Sequence, residues 1–301
     1  MHNLYANFRK IRRTAKDILS PMLTPAGNFR EYPVNPKMSD LDIISLSCCM
    51  ESLGIDSENN FWQKLKSDYA DKFPNLIDRT RFNRRRRYLG EKIQSIQDAV
   101  ARLIDTSDEL MIIDSLPIPV VKNVREKSHK ILRENEETCP KKGYSSVNRS
   151  WFIGYKLHVV IFGNGMLQQS GITQGNVHDI SYLKEARFDS HSGQLIGDRA
   201  YISSGLQLEL FENYDVELKV PFRINQSDYK KHPPQLKGKR QRVETFFAQL
   251  CDQFNIRRNY AKTFLGFATR IASKLSAVSI LNYLNICNNR KPSLIKNALA
   301  F

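Results

Sequence analysis

Gly163-Asn164-Gly165 separates two apolar runs, Trp151–Phe162 and Met166–Thr173, and no other feature of the chain narrows its fold as much. Glycine takes positive φ without the clash a Cβ brings, so this tripeptide between β-rich runs closes a tight hairpin. The two runs are therefore neighbouring antiparallel strands. Shorter runs at Leu110–Asp114, Gln194–Asp198 and Val216–Val220 also read as strands, with helical segments at 179–187 and 203–213 leading into the later ones. A strand, helix, strand succession makes a crossover connection and parallel pairing. The result is an α/β fold built on a mixed five-stranded sheet with flanking helices. The polar stretch 121–150, with Lys122, Arg125, Lys127, Lys130, Lys141 and Lys142, reads as an irregular loop carrying positive charge to the strand-end rim.

Residues 1–105 have a different rhythm. Apolar residues recur at helical spacing in Leu41–Ser47 and Ile93–Val100, and Ser39-Asp40 is a suitable N-cap for the first of these. A helical region 1–105 therefore precedes an α/β domain 106–301, which contains a basic insertion at 221–239 and a C-terminal helix at 263–289. Ile271, Leu275, Val278, Leu281 and Leu284 give that helix an apolar stripe, expected to complete the sheet domain's core. Trp62 and Trp151 read as core residues.

Forty-six Lys and Arg oppose 31 Asp and Glu, a net charge of +15 with a pI near 9.6. Such a field attracts polyanions, and nucleic acid is the natural partner. A membrane partner is not expected, since no apolar run reaches transmembrane length and no signal-peptide core follows Met1. Cys48, Cys49, Cys139, Cys251 and Cys287 are odd in number and lack a Cys-x-x-Cys pair, so they read as thiols of a reducing cytoplasm.

Within the helical region, Arg79, Arg81, Arg84, Arg85, Arg86 and Arg87 put six arginines into ten residues with Phe82 and Tyr88 among them. Most charge runs are solvated helix faces. This density exceeds what solubility requires, and with the net charge it favours a DNA-contacting helix whose guanidinium groups grip phosphates.

Three carboxylates carry the candidate chemistry. Asp114 and Asp198 each end an apolar run, where an unpartnered charge is costly, and Glu244 lies in a basic helical stretch. A divalent cation removes the cost. Mg²⁺ takes oxygen ligands from a few carboxylates and substrate phosphates, so two ions held here could drive in-line displacement at a phosphodiester. Asp114 and Asp198 lie 198 − 114 = 84 positions apart, and only a fold that returns its strand ends to one edge unites them with Glu244. Taken singly, Glu244 is satisfied by Arg240 as an i, i+4 pair on the helix where Val243, Phe246, Phe247 and Leu250 face the sheet.

Several stretches together resemble the DDE transposases of bacterial insertion sequences, in particular the insertion-sequence family numbered 982: Ile113-Asp114-Ser115-Leu116-Pro117-Ile118-Pro119-Val120, Gly154-Tyr155-Lys156-Leu157-His158, Thr173–Asp179, Ile196–Tyr201 and Arg240–Phe247. The likeness spans nearly the whole chain. Gly154–His158 and the Arg four residues before Glu244 carry most of its specificity. It implies an RNase H-like core, binding to terminal inverted repeats, cleavage followed by strand transfer, and Mg²⁺ or Mn²⁺ held by Asp114, Asp198 and Glu244. Arg240 becomes a phosphate-binding or carboxylate-orienting group. DNA contacts are expected from the six arginines and from Lys156, Lys237, Lys239, Arg240 and Arg242. A related group carries Tyr three residues before this Arg and Lys seven after the Glu; here these are Lys237 and Cys251, which removes a ring and a charge.

The expected enzyme is thus a transposase of the bacterial cytoplasm, associated with the nucleoid. It would act on double-stranded transposon ends and target DNA as a homodimer or higher oligomer. The alternatives are a metal-dependent RNase H-like nuclease and a non-catalytic DNA-binding regulator derived from a transposase. Among the remaining polar residues, Lys156 either reaches a phosphate or faces solvent, Asn176 or Asp179 reads as a helix cap beside His178, and His158 and Tyr201 read as packing residues.

Overall fold

The computed structural model describes residues 3–103, 110–188, 191–221 and 234–299, with side chains of the last segment described from 238 onward. In chain order the helices are α1 (Leu4–Leu19), α2 (Asp40–Ser52), α3 (Glu58–Asp68), α4 (Arg79–Tyr88), α5 (Gly90–Leu103), α6 (Asp179–Glu185), α7 (Ser204–Tyr214), α8 (Pro234–Asp252) and α9 (Phe264–Cys287). The strands are β1 (Leu110–Val121), β2 (Lys141–Ser145), β3 (Ser150–Phe162), β4 (Leu167–Gln174), β5 (Gly193–Ile196) and β6 (Val216–Lys219). Two compact units result, one from Met1–Leu103 with Leu250–Phe301 and one from Ile104–Gln249.

In the first unit α2 is buried at every position except Asp42. Its start is fixed by a capping box in which Ser39 Oγ accepts from the Asp42 N–H at 3.1 Å and Asp42 accepts from the Ser39 N–H at 3.0 Å. Helix α9 packs against α2 and α5. The C-terminal helix expected to finish the sheet core belongs instead to this helical unit, because its buried surface runs almost all round rather than along one stripe. By length and mean hydropathy α9 could also cross a membrane, contrary to the expectation that no segment reaches that length, but 83% of its most apolar window is buried inside the protein. Trp62 is core, with Nε1 donating to the Ile77 carbonyl at 3.1 Å. All five cysteines are free.

The second unit is a mixed sheet of six strands in the order β2-β3-β1-β5-β6, with β4 also paired to β3. The hairpin forms as the sequence requires: β3 and β4 run antiparallel, the Gly165 N–H donates to the Phe162 carbonyl at 2.8 Å, and Gly165 sits at φ +88. The crossovers also give parallel pairing of β1 with β5 and of β5 with β6. The sixth strand, β2, lies inside the stretch read as irregular, pairing Lys141 with Gly154 and Ser145 with Ser150. Its Lys-Lys-Gly-Tyr-Ser sequence carries no apolar alternation; an edge strand needs little, and its lysines discourage further pairing. At this edge Trp151 is not core. It is 55% exposed, packed edge-on against Tyr144 with Lys142 over its ring. The basic insertion at 221–239 falls largely outside the described residues, and its last residues begin α8.

Candidate active site

Strand β1 does not stop at Asp114. It continues to Val121 against β3, while β5 pairs only with Leu110–Ile112. The register is informative. Ile112 lies opposite Ile196, an offset of 196 − 112 = 84, which is also the separation of Asp114 and Asp198. Each aspartate lies two residues past this last pair, and the charge of Asp198 acts on Asp114. The chain turns away there because Gly197 admits it: a Cβ would lie 3.1 Å from the Tyr201 ring and 3.2 Å from Ile113. Asp198 then caps the short turn Arg199–Tyr201 by accepting from the Ala200 N–H at 2.8 Å.

Asp114 is half-buried and accepts from the Ser115 N–H at 2.8 Å and from Arg240 Nη2 at 3.1 Å. Burial pushes its pKa up to about 6; Arg240 opposes the rise and the charge of Asp198 adds to it. Arg240 reaches Asp114 from α8, whose Val243, Phe246 and Leu250 are buried. The i, i+4 partnership of Arg240 with Glu244 is thus replaced by a bond to the sheet. Glu244 sits one turn further along α8 and is exposed. Among the described residues no three His, Cys, Asp or Glu side chains converge closely enough to hold a cation. The fold brings Asp114, Asp198 and Arg240 together and leaves Glu244 one helical turn away.

The opposite face of the sheet explains Lys156 and His158. In the β1–β3 ladder Asp114 faces Val159, whereas Ser115 faces His158 and Pro117 faces Lys156, so strand alternation points Lys156 and His158 away from Asp114. Lys156 Nζ donates to Asp179 at 3.0 Å and to the Val177 carbonyl at 2.7 Å, tying β3 to the start of α6. Two of its three donors are used within the fold. Asp179 serves as that anchor rather than as a helix cap; the N-cap position is His178, which makes no side-chain capping bond. His158 is fully buried, stacked on Tyr182 and hydrogen-bonded to Thr173 Oγ1 at 2.8 Å, and burial lowers its pKa to about 4. It is a neutral packing residue, as expected.

Tyr201 is completely buried, the packing residue the sequence suggested; among the described residues its hydroxyl has no partner, and burial followed by the nearby carboxylates of Asp179, Asp114 and Asp198 raises its pKa. An unpaired buried hydroxyl destabilises the fold by its lost hydration, so Tyr201→Phe is expected to stabilise the protein by about 1 kcal/mol in urea denaturation. A loss of stability would show that the hydroxyl has a partner.

The arginine helix α4 is largely committed to the fold. Arg85 bonds buried Asp40 at 2.6 Å, buried Arg86 pairs with Glu58 at 2.9 Å, Arg79 reaches Glu58 at 3.5 Å and Arg81 reaches Asp78 at 3.2 Å. Arg84 is exposed and Arg87 half-buried. On α8, Lys239 and Arg242 are exposed, whereas the side chain of Lys237 lies outside the described residues. Among known proteins, the family model for the transposase DDE domain matches residues 104–262, the stretch that holds both aspartates, Arg240 and Glu244. No curated protein matches the chain significantly.

Proposed function

Because the chain belongs to the transposase DDE-domain family, we propose that it is the transposase of an insertion sequence of the family numbered 982, with the sheet unit an RNase H-like catalytic domain. The strand order supports that fold: three antiparallel strands, β4-β3-β1, are extended by two parallel ones, β5 and β6. One observation carries the functional reading. Within the matched domain, Asp114 and Asp198 follow the last β1–β5 pair by two residues each, the charge of Asp198 acts on Asp114, and Arg240 of the helix bearing Glu244 bonds to Asp114.

Carboxylate oxygens are the donors hard cations take, and a carboxyl desolvated enough to titrate near 6 is one that a cation would relieve. The residues therefore fit Mg²⁺ or Mn²⁺. Asp114 and Asp198 would hold the ions, with Glu244 joining from α8; bound there, two ions supply Lewis-acid stabilisation of both the attacking and the leaving oxygen of a phosphodiester. Asp114 and Asp198 are held by backbone N–H donors, which fixes their oxygens before any substrate arrives. Arg240 neutralises Asp114 and, released from it, reaches a phosphate. Arg84, Lys239 and Arg242 are exposed and are the cations this reading assigns to DNA contacts. Joining two ends to a target requires both in one complex, so a homodimer or larger assembly acts on double-stranded DNA, in the bacterial nucleoid.

The test is incubation of the full chain with Mg²⁺ and a duplex bearing its element's ends. Nicks at the element border followed by joining to a second duplex are expected. Equal cutting of unrelated duplexes would identify a plain nuclease, and binding without cutting at any metal concentration would identify a regulator.

A further inference from the structure

In the helical unit, α4 and the start of α9 border a pocket of about 410 Å³ lined by five cations, Arg79, Arg86, Arg87, Lys262 and Arg270, and one carboxylate, Glu58; Arg270 is also paired with buried Glu51 at 2.9 Å. Glu58 is already shared by Arg79, Asn83 and Arg86. Arg86 and Arg270 are only 4% and 5% exposed, yet among the described residues Arg86 Nε and Nη1, Arg270 Nη2 and Arg87 Nε have no partner. Guanidinium N–H groups removed from water and left unpaired are rare, because each needs an acceptor to replace its lost hydration. Burial lowers the pKa of Arg86 against the opposing charges of Glu58 and Glu51, and the neighbouring charges of Arg270 and Arg87 add to the lowering. The pocket is short of an anion.

Position on the helix separates this site from a simple basic face. Arg79, Asn83, Arg86 and Arg87 follow i, i+4, i+7, i+8 and line the pocket, whereas Arg81, Arg84 and Tyr88 follow i, i+3, i+7 on an exposed stripe. The pocket also takes in Thr263 and Gly266 at the N-terminus of the 24-residue α9, where Thr263 Oγ1 accepts from the Gly266 N–H at 3.2 Å. The positive end of that helix dipole adds to the field of the arginines. Donors converging from two helices suit an anion with several oxygens spread around one centre, as in a phosphate, better than a planar carboxylate. Exposed Lys262 and Tyr260 belong to the same lining, so the site is open to a ligand from solvent.

We propose that this pocket binds a phosphate group of the DNA backbone, fixing the helical unit on the duplex independently of base sequence. The source of the phosphate rests on the transposase reading. Phosphate contacts of this kind position a protein and weaken uniformly across sequences when lost. Binding of the full-length protein to a labelled duplex is measured over a range of salt, with Arg87→Gln, Lys262→Gln and, as a charge-matched control away from the pocket, Lys16→Gln. Circular dichroism verifies that each variant is folded, and thermal melts are repeated with inorganic phosphate.

Each pocket variant is expected to bind DNA on the order of tenfold more weakly, with a salt dependence shallower by about one phosphate contact. The control should stay within about twofold, and inorganic phosphate should raise the melting temperature of wild type but not of Arg87→Gln. Pocket variants that bind DNA like wild type overturn the proposal. If inorganic phosphate still stabilises wild type in that case, the pocket serves a free anion instead. End cleavage by wild type alongside unaffected variants sinks the pocket alone, whereas failure of wild type to bind any DNA removes the transposase reading as well.

Discussion

Asp114→Ala and Asp198→Ala are each expected to lower end cleavage by at least about 10³-fold while duplex binding stays within about twofold of wild type. The two side chains follow the last β1–β5 pair by two residues each and interact electrostatically, and removal of either leaves too few oxygens for a pair of ions. Glu244→Gln should cost about as much although Glu244 is exposed, because it is the carboxylate of α8 that lies one turn from Arg240. Acidity provides an independent check. A carboxyl whose pKa is raised from 3.8 to about 6 contributes stability that is fully present below 3.8 and lost as pH rises through about 6, where it must ionise while partly desolvated. Metal-free protein therefore loses stability across this window, and added Mg²⁺ should restore more at pH 7.5 than at pH 5.5. Cleavage at subsaturating Mg²⁺ should fall as pH drops through about 6 and recover when Mg²⁺ is increased. Wild-type cleavage by either alanine variant would remove both aspartates from the site.

Glu51→Ala is expected to destabilise the protein by about 3–5 kcal/mol, read as a lower urea midpoint or as failure to accumulate folded protein. Glu51 is 1% exposed in α2, accepts from Arg270 Nε at 2.9 Å, and bonds Lys274 Nζ, which also donates to the Phe254 carbonyl at 2.6 Å. Burial depresses the pKa of Lys274, with Glu51 opposing. Among the described residues Glu51 is the carboxylate paired with both of α9's buried cations, so its loss leaves Arg270 and Lys274 without that counter-ion. Lys274→Met should cost markedly less, since its straight apolar chain keeps the volume and Glu51 retains Arg270. Equal costs for the two variants would mean that packing, not charge, dominates there.

Chemistry of the local chain made much of this protein legible. Gly163-Asn164-Gly165 dictated the hairpin because few residues accept its backbone angles, and Ser39 with Asp42 dictated where α2 begins because the first-turn N–H groups need acceptors. Helices 179–187 and 203–213 were readable within a few residues as α6 and α7. The edge strand β2 was not, since strand pairing by an edge segment asks little of its own side chains. The arginine run illustrates the other limit: its composition announced an anion-binding helix, but nothing in ten consecutive residues says that Arg85 and Arg86 turn inward to Asp40 and Glu58.

What the sequence determined by itself was therefore the kind and order of most elements, the net basic charge, and the aspartate that follows β5. Tertiary structure decided who meets whom. It moved α9 to the helical unit, exchanged Glu244 for Asp114 as the partner of Arg240, and turned Lys156 to the face away from the aspartates. Propensity and turn chemistry act over a few residues and are written locally, whereas partnership depends on strand register and on which helix face is covered, set by burial summed over the whole fold.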